Sequence, residues 1–545
     1  MTAPAKSDVL VRILLLLVPA TAWAAFPFFS DFSTPKLVVA GLLGAPLLWH
    51  LRRVPLPQPA GWIPVAFLVA SLPAFWRGPD GDLVHQALVL EILALATWWG
   101  AARSRSELVH RLPAWLLAAG LGVLCFRAGE WLWPGGPFAI GALDGSATLG
   151  NPDLTAEFLA ILLPLAIWRL WQPGSGGRVA AAVLVVGTIS VLATHDSITA
   201  LGVAAVGLLS LGIVSVRRWP RMRLASLAIT LVLGALALFS VGERPALQGR
   251  LFLYRTASMV VADAPFAGHG EGGFGGAYMT AQGQALQVER SQRSYWTNAR
   301  HAHNVLLHVW SERGLVPLLL LVLFLGVGLW RVRAGPPWQL AVLLGAGVSF
   351  LGSVSWDHVA FRLLASLLLG MAWSVGPKPV RWARIRLAAA ASLAALVVLL
   401  PSWHAAGDYL FGSGELEAGN RLVQDNSRIQ FALGQQHLAE GKEASARTLL
   451  VTSLPGHPNL GTLLTLGNLE TRAGNFAEAE QWYRQVLAWK PDFAAAYANL
   501  AWLYHRWGEE SLADRHLTRA LSLRPSDPAI LKIAREIFAQ RRAGK

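Results

Sequence analysis

The sequence predicts an all-α protein, a polytopic transmembrane helix bundle of about 13 spans followed by a soluble α-helical repeat domain. Three observations lead there. The 545-residue chain is 54% hydrophobic and only 14% charged, against roughly 25% charged residues in soluble domains. Apolar runs of roughly 17 to 22 residues, each able to cross about 30 Å of hydrocarbon as a helix, recur from Val9 to His404. Beyond His404 the sequence turns mixed and polar, and a repeat takes over.

The expected spans are 9–29, 37–51, 61–76, 83–101, 112–133, 154–171, 179–194, 198–215, 224–241, 304–330, 338–355, 359–375 and 387–404. The first could pass for a signal peptide, but it lacks a small-residue cleavage site and more spans follow, so it reads as a retained span. Residues 1–404 are therefore expected as one membrane domain, 405–425 as a linker and 426–542 as helical repeats. The formal net charge of +14 invites a nucleic-acid reading until the cations are placed. Arg52/Arg53, Arg103/Arg105/Arg111, Arg169/Arg178, Arg217/Arg218/Arg221/Arg223, Arg331/Arg333 and Lys378/Arg381/Arg384/Arg386 fall in every second connection. That is the positive-inside pattern, so the charge records topology and no nucleic-acid partner is expected. It puts the N-terminus in the cytoplasm, and an odd number of spans sends the C-terminal repeats to the far side. The long connections 134–153 and 242–303 share that far side, and loops of such length are usually functional. The single cysteine, Cys125, lies in an apolar run, so no intrachain disulfide is possible.

In the C-terminal region Leu466, Gly467, Gly474, Ala479, Tyr483 and Pro491 recur about 34 residues later as Leu500, Ala501, Gly508, Ala513, Leu517 and Pro525. A degenerate earlier copy has Leu433, Gly434, Gly441, Ala446, Leu450 and Pro458. The small residues let two helices approach and the proline ends the second, a pattern that resembles tetratricopeptide repeats. Such stacks bind partners rather than react, which predicts a protein partner, an acceptor or a dimer contact.

Chemistry is expected at Arg300-His301-Ala302-His303-Asn304, with Glu312 and Gly314 following, where a polar loop meets an apolar helix. Titratable groups beside hydrocarbon are costly and mark reaction or transport paths. The loop before them opens with Gly249-Arg250-Leu251, with Tyr254 and Arg255 following, and runs through Ala264-Pro265-Phe266-Ala267-Gly268-His269-Gly270-Glu271-Gly272-Gly273-Phe274. The glycine run lacks the Lys-Ser/Thr of a phosphate loop and reads as a tight turn. Arg127 and Glu130, three apart near an outer helix end, can pair on one face, and Arg127 is also a candidate to hold a lipid diphosphate. His195/Asp196 and Asp357/His358 lie on separate short connections without HxxxH spacing, so no metal is expected.

Together with Gly150-Asn151-Pro152-Asp153 ahead of Leu163-Pro164-Leu165, these pieces resemble the O-antigen ligase superfamily, which includes lipopolysaccharide O-antigen ligases, Wzy-type polymerases and protein O-oligosaccharyltransferases. The resemblance covers roughly residues 140 to 375. It implies a periplasm-facing glycosyltransferase of the inner membrane. The glycan would pass from an undecaprenyl-diphosphate-linked donor to a lipid A core, a growing polysaccharide or a protein Ser/Thr, without cofactor or metal. It also implies an essential histidine, matched by His303 before Asn304, and an essential loop arginine, matched by Arg250; Tyr254 stands where a tryptophan is common. Side-chain chemistry agrees. An imidazole with an ordinary pKa of about 6 to 7 is a suitable base toward an alcohol, a contribution of about 10² to 10⁴. Guanidinium matches the departing diphosphate, with Arg250 first and Arg300 and Arg255 behind it. His301, Asn304 and Glu312 complete the expected substrate-binding set; for each, capping or ion pairing is the structural alternative. A transporter or flippase of a polar lipid, or a non-catalytic scaffold displaying the repeats, is the competing class. The polar groups gather at one surface rather than at the midplane of repeated halves, which disfavours transport.

Overall fold

The computed structural model describes residues 5–24, 33–58, 60–133, 147–173, 177–195, 197–215, 244–375 and 383–543, with isolated positions between 224 and 230. The expected span 224–241 and much of the connection 134–153 lie outside the described residues. Those described form helices and short 3-10 turns and no strand.

The membrane part opens with α1 (Ala5–Trp23), α2 (Ser33–Leu51), α3 (Ile63–Arg77), α4 (Gly81–Arg103) and α5 (Arg105–Leu132). It continues with α6 (Pro152–Leu170), α7 (Arg178–Thr194) and α8 (Ile198–Val214). The polar loop supplies α9 (Arg244–Asp263) and α10 (Phe274–Val288), and then come α11 (Val305–Arg313), α12 (Leu315–Val332), α13 (Pro337–Gly352), α14 (Val359–Gly370) and α15 (Ala383–Gly412). A helix that is apolar all round has no face suited to water and goes to the centre. Thus α6 is buried from Leu154 to Ile167, against α7, α8 and α13, and every residue of α14 is buried against α4 and its neighbours.

Five described helices are long and apolar enough to cross a membrane, namely Thr34–Leu51, Gly81–Arg103, Arg105–Leu132, Leu315–Val332 and Arg386–Gly412, and six shorter apolar helices accompany them. Two expected spans change. The run 304–330 is not one helix, because Gly314 at φ 88 separates α11 from α12. A side chain there would also strike the Phe266 carbonyl, so only glycine permits the break. The run 359–375 yields the 12-residue α14, about 18 Å long and too short to cross about 30 Å alone. The expected linker is helical: α15 runs on to Gly412, and α16 (Leu416–Leu422) follows.

The repeats pair α17 (Ser427–Ala439) with α18 (Glu443–Ser453), α19 (Leu460–Ala473) with α20 (Phe476–Trp489), and α21 (Ala494–Trp507) with α22 (Glu510–Leu523), ending in α23 (Pro528–Ala543). The repeat signature forms their core, with Ala479, Tyr483, Leu500 and Ala513 in one buried cluster.

The stack lies against the loop. Met279 of α10 shares a buried cluster with Leu463, Val486 and Trp489. Trp296 Nε1 donates to the Trp489 carbonyl (3.2 Å), and Lys490 Nζ stands 4.5 Å over the Trp296 ring. Helices α10 and α20 meet at Gly283, where a Cβ would fall 1.6 Å from the Ala488 carbonyl oxygen. Gly283→Ala is therefore expected to weaken docking by about 1–3 kcal/mol through overpacking. Hydrogen exchange should speed up along α20 and α10 together, and unchanged protection there would exclude the contact.

Candidate active site

The site is built on buried charge. Glu91, on α4 and 6% exposed, accepts from Arg313 Nη1 (2.6 Å) and Arg362 Nη1 (2.9 Å). Arg313 closes α11 and grips Glu271 with both prongs, Nε to Oε2 at 2.8 Å and Nη2 to Oε1 at 3.0 Å. The glycine-rich turn delivers Glu271: His269 N and Gly270 N donate to the Ser311 and Glu312 carbonyls (2.8 and 3.0 Å), and Glu271 N donates to Ala74 O (3.0 Å). Gly270 sits at φ 90 with its Cα against the Arg77 carbonyl, which is the reason for glycine there. On the other side Arg362 reaches Asp357 Oδ1 (3.3 Å) while its guanidinium lies 4.5 Å over the Trp356 ring.

Asp357 carries the network to the imidazoles. Its Oδ2 is 3.3 Å from His301 Nδ1 and 3.8 Å from His308 Nε2, and His308 is in turn 3.5 Å from Glu312 Oε2. Burial favours the neutral acid at Asp357, but His308, His301 and Arg362 outweigh it and hold its carboxyl below the usual range. These groups border a cavity of about 340 Å³, lined by Arg300, His301, His308, Glu312, Asp357 and Arg362 from the membrane domain and by Arg428 and His457 from the first repeat.

Off the cavity lining, which contains neither His303 nor Arg250, three side chains converge on the last carbonyls of α13. Asn304 caps α11, its Oδ1 accepting from Leu306 N (3.0 Å) and Leu307 N (3.2 Å), while its Nδ2 donates to Leu351 O (3.1 Å). Tyr254 Oη donates to His303 O (3.3 Å) and Leu351 O (3.4 Å), and Arg250 donates to Gly352 O. A cation at a helix C-terminus meets the negative end of the dipole. His303 is held at φ 50, a region costly for a residue with a Cβ. It is half-buried, and burial, with Arg250, His301 and His308 adding to it, lowers its pKa to about 4. The imidazole is therefore neutral at physiological pH.

Of the residues expected from sequence, the fold groups His303, Arg250 and Asn304 at the end of α13, and places Arg300, His301 and Glu312 on the cavity wall. Arg255 instead pairs with Glu289 on the exposed side of α9, and Arg127 pairs with Glu130 at 3.6 Å. Neither lines the cavity. Sequence reasoning gave no site role to Glu91, Glu271, His308, Arg313, Arg362, Arg428 or His457; it expected His308 to face another helix and Arg313 to pair with Glu312, whereas Arg313 holds Glu271 and Glu91. For Glu91 and Arg362 a signal existed, since each is a lone charge inside an apolar run. For Arg428 and His457 there was none, because the contact spans two domains.

His301, His308 and Asp357 place one ligand atom each within 4.8 Å of one another. The spacing argument against a metal missed this grouping, and these are the residues able to hold a divalent ion. Arg362 competes for the same carboxylate.

Five membrane-length helices and a polar cavity closed by helical repeats define a multi-pass membrane protein. Residues 180–322 match the family described as O-antigen ligase. Residues 460–493 and 494–527 each match the tetratricopeptide repeat. The suspected resemblance is thus borne out in both parts, and the matched ligase segment contains Arg250 and the whole Arg300–Asn304 motif. No curated protein matches the chain.

Removing Glu91 leaves two guanidiniums buried without their shared carboxylate. Glu91→Ala is therefore expected to destabilise the fold by about 3–5 kcal/mol, read as a lower unfolding midpoint in detergent. An unchanged midpoint would contradict the structural role.

Proposed function

We propose that this protein transfers a glycan from an undecaprenyl-diphosphate-linked donor to an acceptor hydroxyl at the periplasmic face of the bacterial inner membrane. The N-terminus is cytoplasmic and the repeats periplasmic in this reading. The observation that carries it is the meeting of His303 and Arg250 beside a polar cavity, within a segment similar to O-antigen ligase. The acceptor is a lipid A core, another lipid-linked glycan or a protein Ser/Thr, and the repeats favour a polypeptide acceptor or partner.

In the reaction the neutral His303 takes the proton of the acceptor hydroxyl as its oxygen bonds to the anomeric carbon. The bond from that carbon to the diphosphate oxygen breaks, and the electron pair leaves with undecaprenyl diphosphate, inverting the centre. Arg250 stabilises the departing charge. A pKa of about 4 makes the free His303 a weak base. A bound diphosphate offsets the Arg250 charge, which raises the imidazole toward its working range as substrate arrives. Asn304, by capping α11, fixes the backbone on which His303 is displayed.

His303→Ala and Arg250→Ala are each expected to abolish transfer with expression and membrane insertion unchanged, measured with purified protein, lipid-linked glycan and candidate acceptors, the products being weighed. Normal transfer by both variants rejects the assignment. In wild type the acid limb of kcat should lie at higher pH than that of kcat/KM, because the first reports His303 with diphosphate bound and the second without. Coincident limbs would remove the proposed electrostatic link. Transfer is expected to survive chelation by EDTA. Loss restored by a divalent cation would instead put a metal on His301, His308 and Asp357.

A further inference from the structure

The repeat stack supplies part of the cavity wall. Asn426 caps α17, its Oδ1 accepting from Arg428 N and Ile429 N (both 3.1 Å), and its Nδ2 donates to Asp82 Oδ2 (2.9 Å) at the start of α4. Ser427 N donates to Asp80 Oδ2 (3.1 Å), and Asn298 Nδ2 donates to Pro458 O (3.1 Å). These bonds hold the first turn of α17 and the end of the first repeat over the cavity, so Arg428 and His457 line it together with Arg300.

The charges there are unevenly matched. Of the carboxylates on the wall, Glu271 is held by Arg313, Asp357 by Arg362, and Asp82 by His404 and Asn426, while Asp80 accepts from Ser427 N and Leu83 N and Glu312 from Phe274 N. Arg428 is ion-paired with Asp408 at 3.3 Å, its guanidinium 5.4 Å from the Phe411 ring centroid. Arg300 makes no salt bridge among the described residues, Asp80 on the same wall acts on it at longer range, and its Nη2 donates to His457 Nδ1. Burial, with the two guanidiniums adding to it, lowers the His457 pKa to about 4, so it is a neutral acceptor that positions Arg300. Arg250 lies elsewhere: it donates to Gly352 O at the end of α13 and is not among the residues lining the cavity.

We infer that Arg300 and Arg428, with His457 positioning the first, form an oxyanion subsite across the junction of the two domains. It takes a phosphate or carboxylate of a substrate, at a place other than the Arg250 clamp. Its role in transfer rests on the function proposed above, but its ligand binding does not. Two guanidiniums on one wall suit a two-pronged oxyanion, and losing one charged hydrogen bond costs enough to read.

The test uses the full chain in detergent with inorganic phosphate as probe, in an Arg250→Ala background that removes the proposed clamp. Phosphate is expected to bind there and raise the unfolding midpoint. Adding Arg428→Ala should weaken that binding by about tenfold or more. Arg428→Lys, which keeps a cation and spares the Asp408 pair, should retain binding. No phosphate binding in the Arg250→Ala protein, or equal binding with and without Arg428, overturns the inference. In transfer kinetics of Arg428→Ala, a rise confined to the donor KM assigns the oxyanion to the diphosphate, and a rise confined to the acceptor KM assigns it to the acceptor. A fall in kcat with both KM values unchanged overturns the subsite. Transfer undiminished in Arg250→Ala would sink the clamp and leave the phosphate result standing.

Discussion

Everything around the cavity hangs on one carboxylate inside an apolar helix. Glu91 holds Arg313 and Arg362, and each of those guanidiniums holds a second acid. Buried ions are stable only when their partners are all present. Pairing these charges requires the loop to bring Glu271, α11 to end at Arg313 and the connection before α14 to present Asp357, and it selects against packings that leave a buried charge unpaired.

That selection has chemical consequences. With Asp357 held ionised beside His301 and His308, the floor of the cavity keeps a fixed charge pattern, while His303 stands apart, neutral and strained, at the end of α13. The break at Gly314 lets α11 turn its polar face to the cavity while α12 remains apolar and lipid-suited.

The repeats belong to the same architecture. The close approach at Gly283 and the Asn426 bridge to Asp82 make the stack a wall of the site rather than an appendage. The first repeat thereby places His457 against Arg300 and Arg428 on the cavity wall.

Local sequence determined the helical class, the paired repeats and the cap at Asn304, because periodicity, repeat spacing and capping act within a few residues of one another. The choice of His303 and Arg250 rested on the motif and the loop opening, which are short-range patterns. The tertiary structure alone decided which charges meet. Glu91 and Arg313 are 222 residues apart and Arg300 and His457 are 157 apart, and no local pattern records a contact made by packing. For the same reason Arg255 was plausible from position yet pairs with Glu289, 34 residues on, whereas the Arg127–Glu130 pair, three apart, was already expected from the sequence. An arginine in a loop advertises an anion, and only the fold says whether that anion is a substrate or a neighbouring side chain.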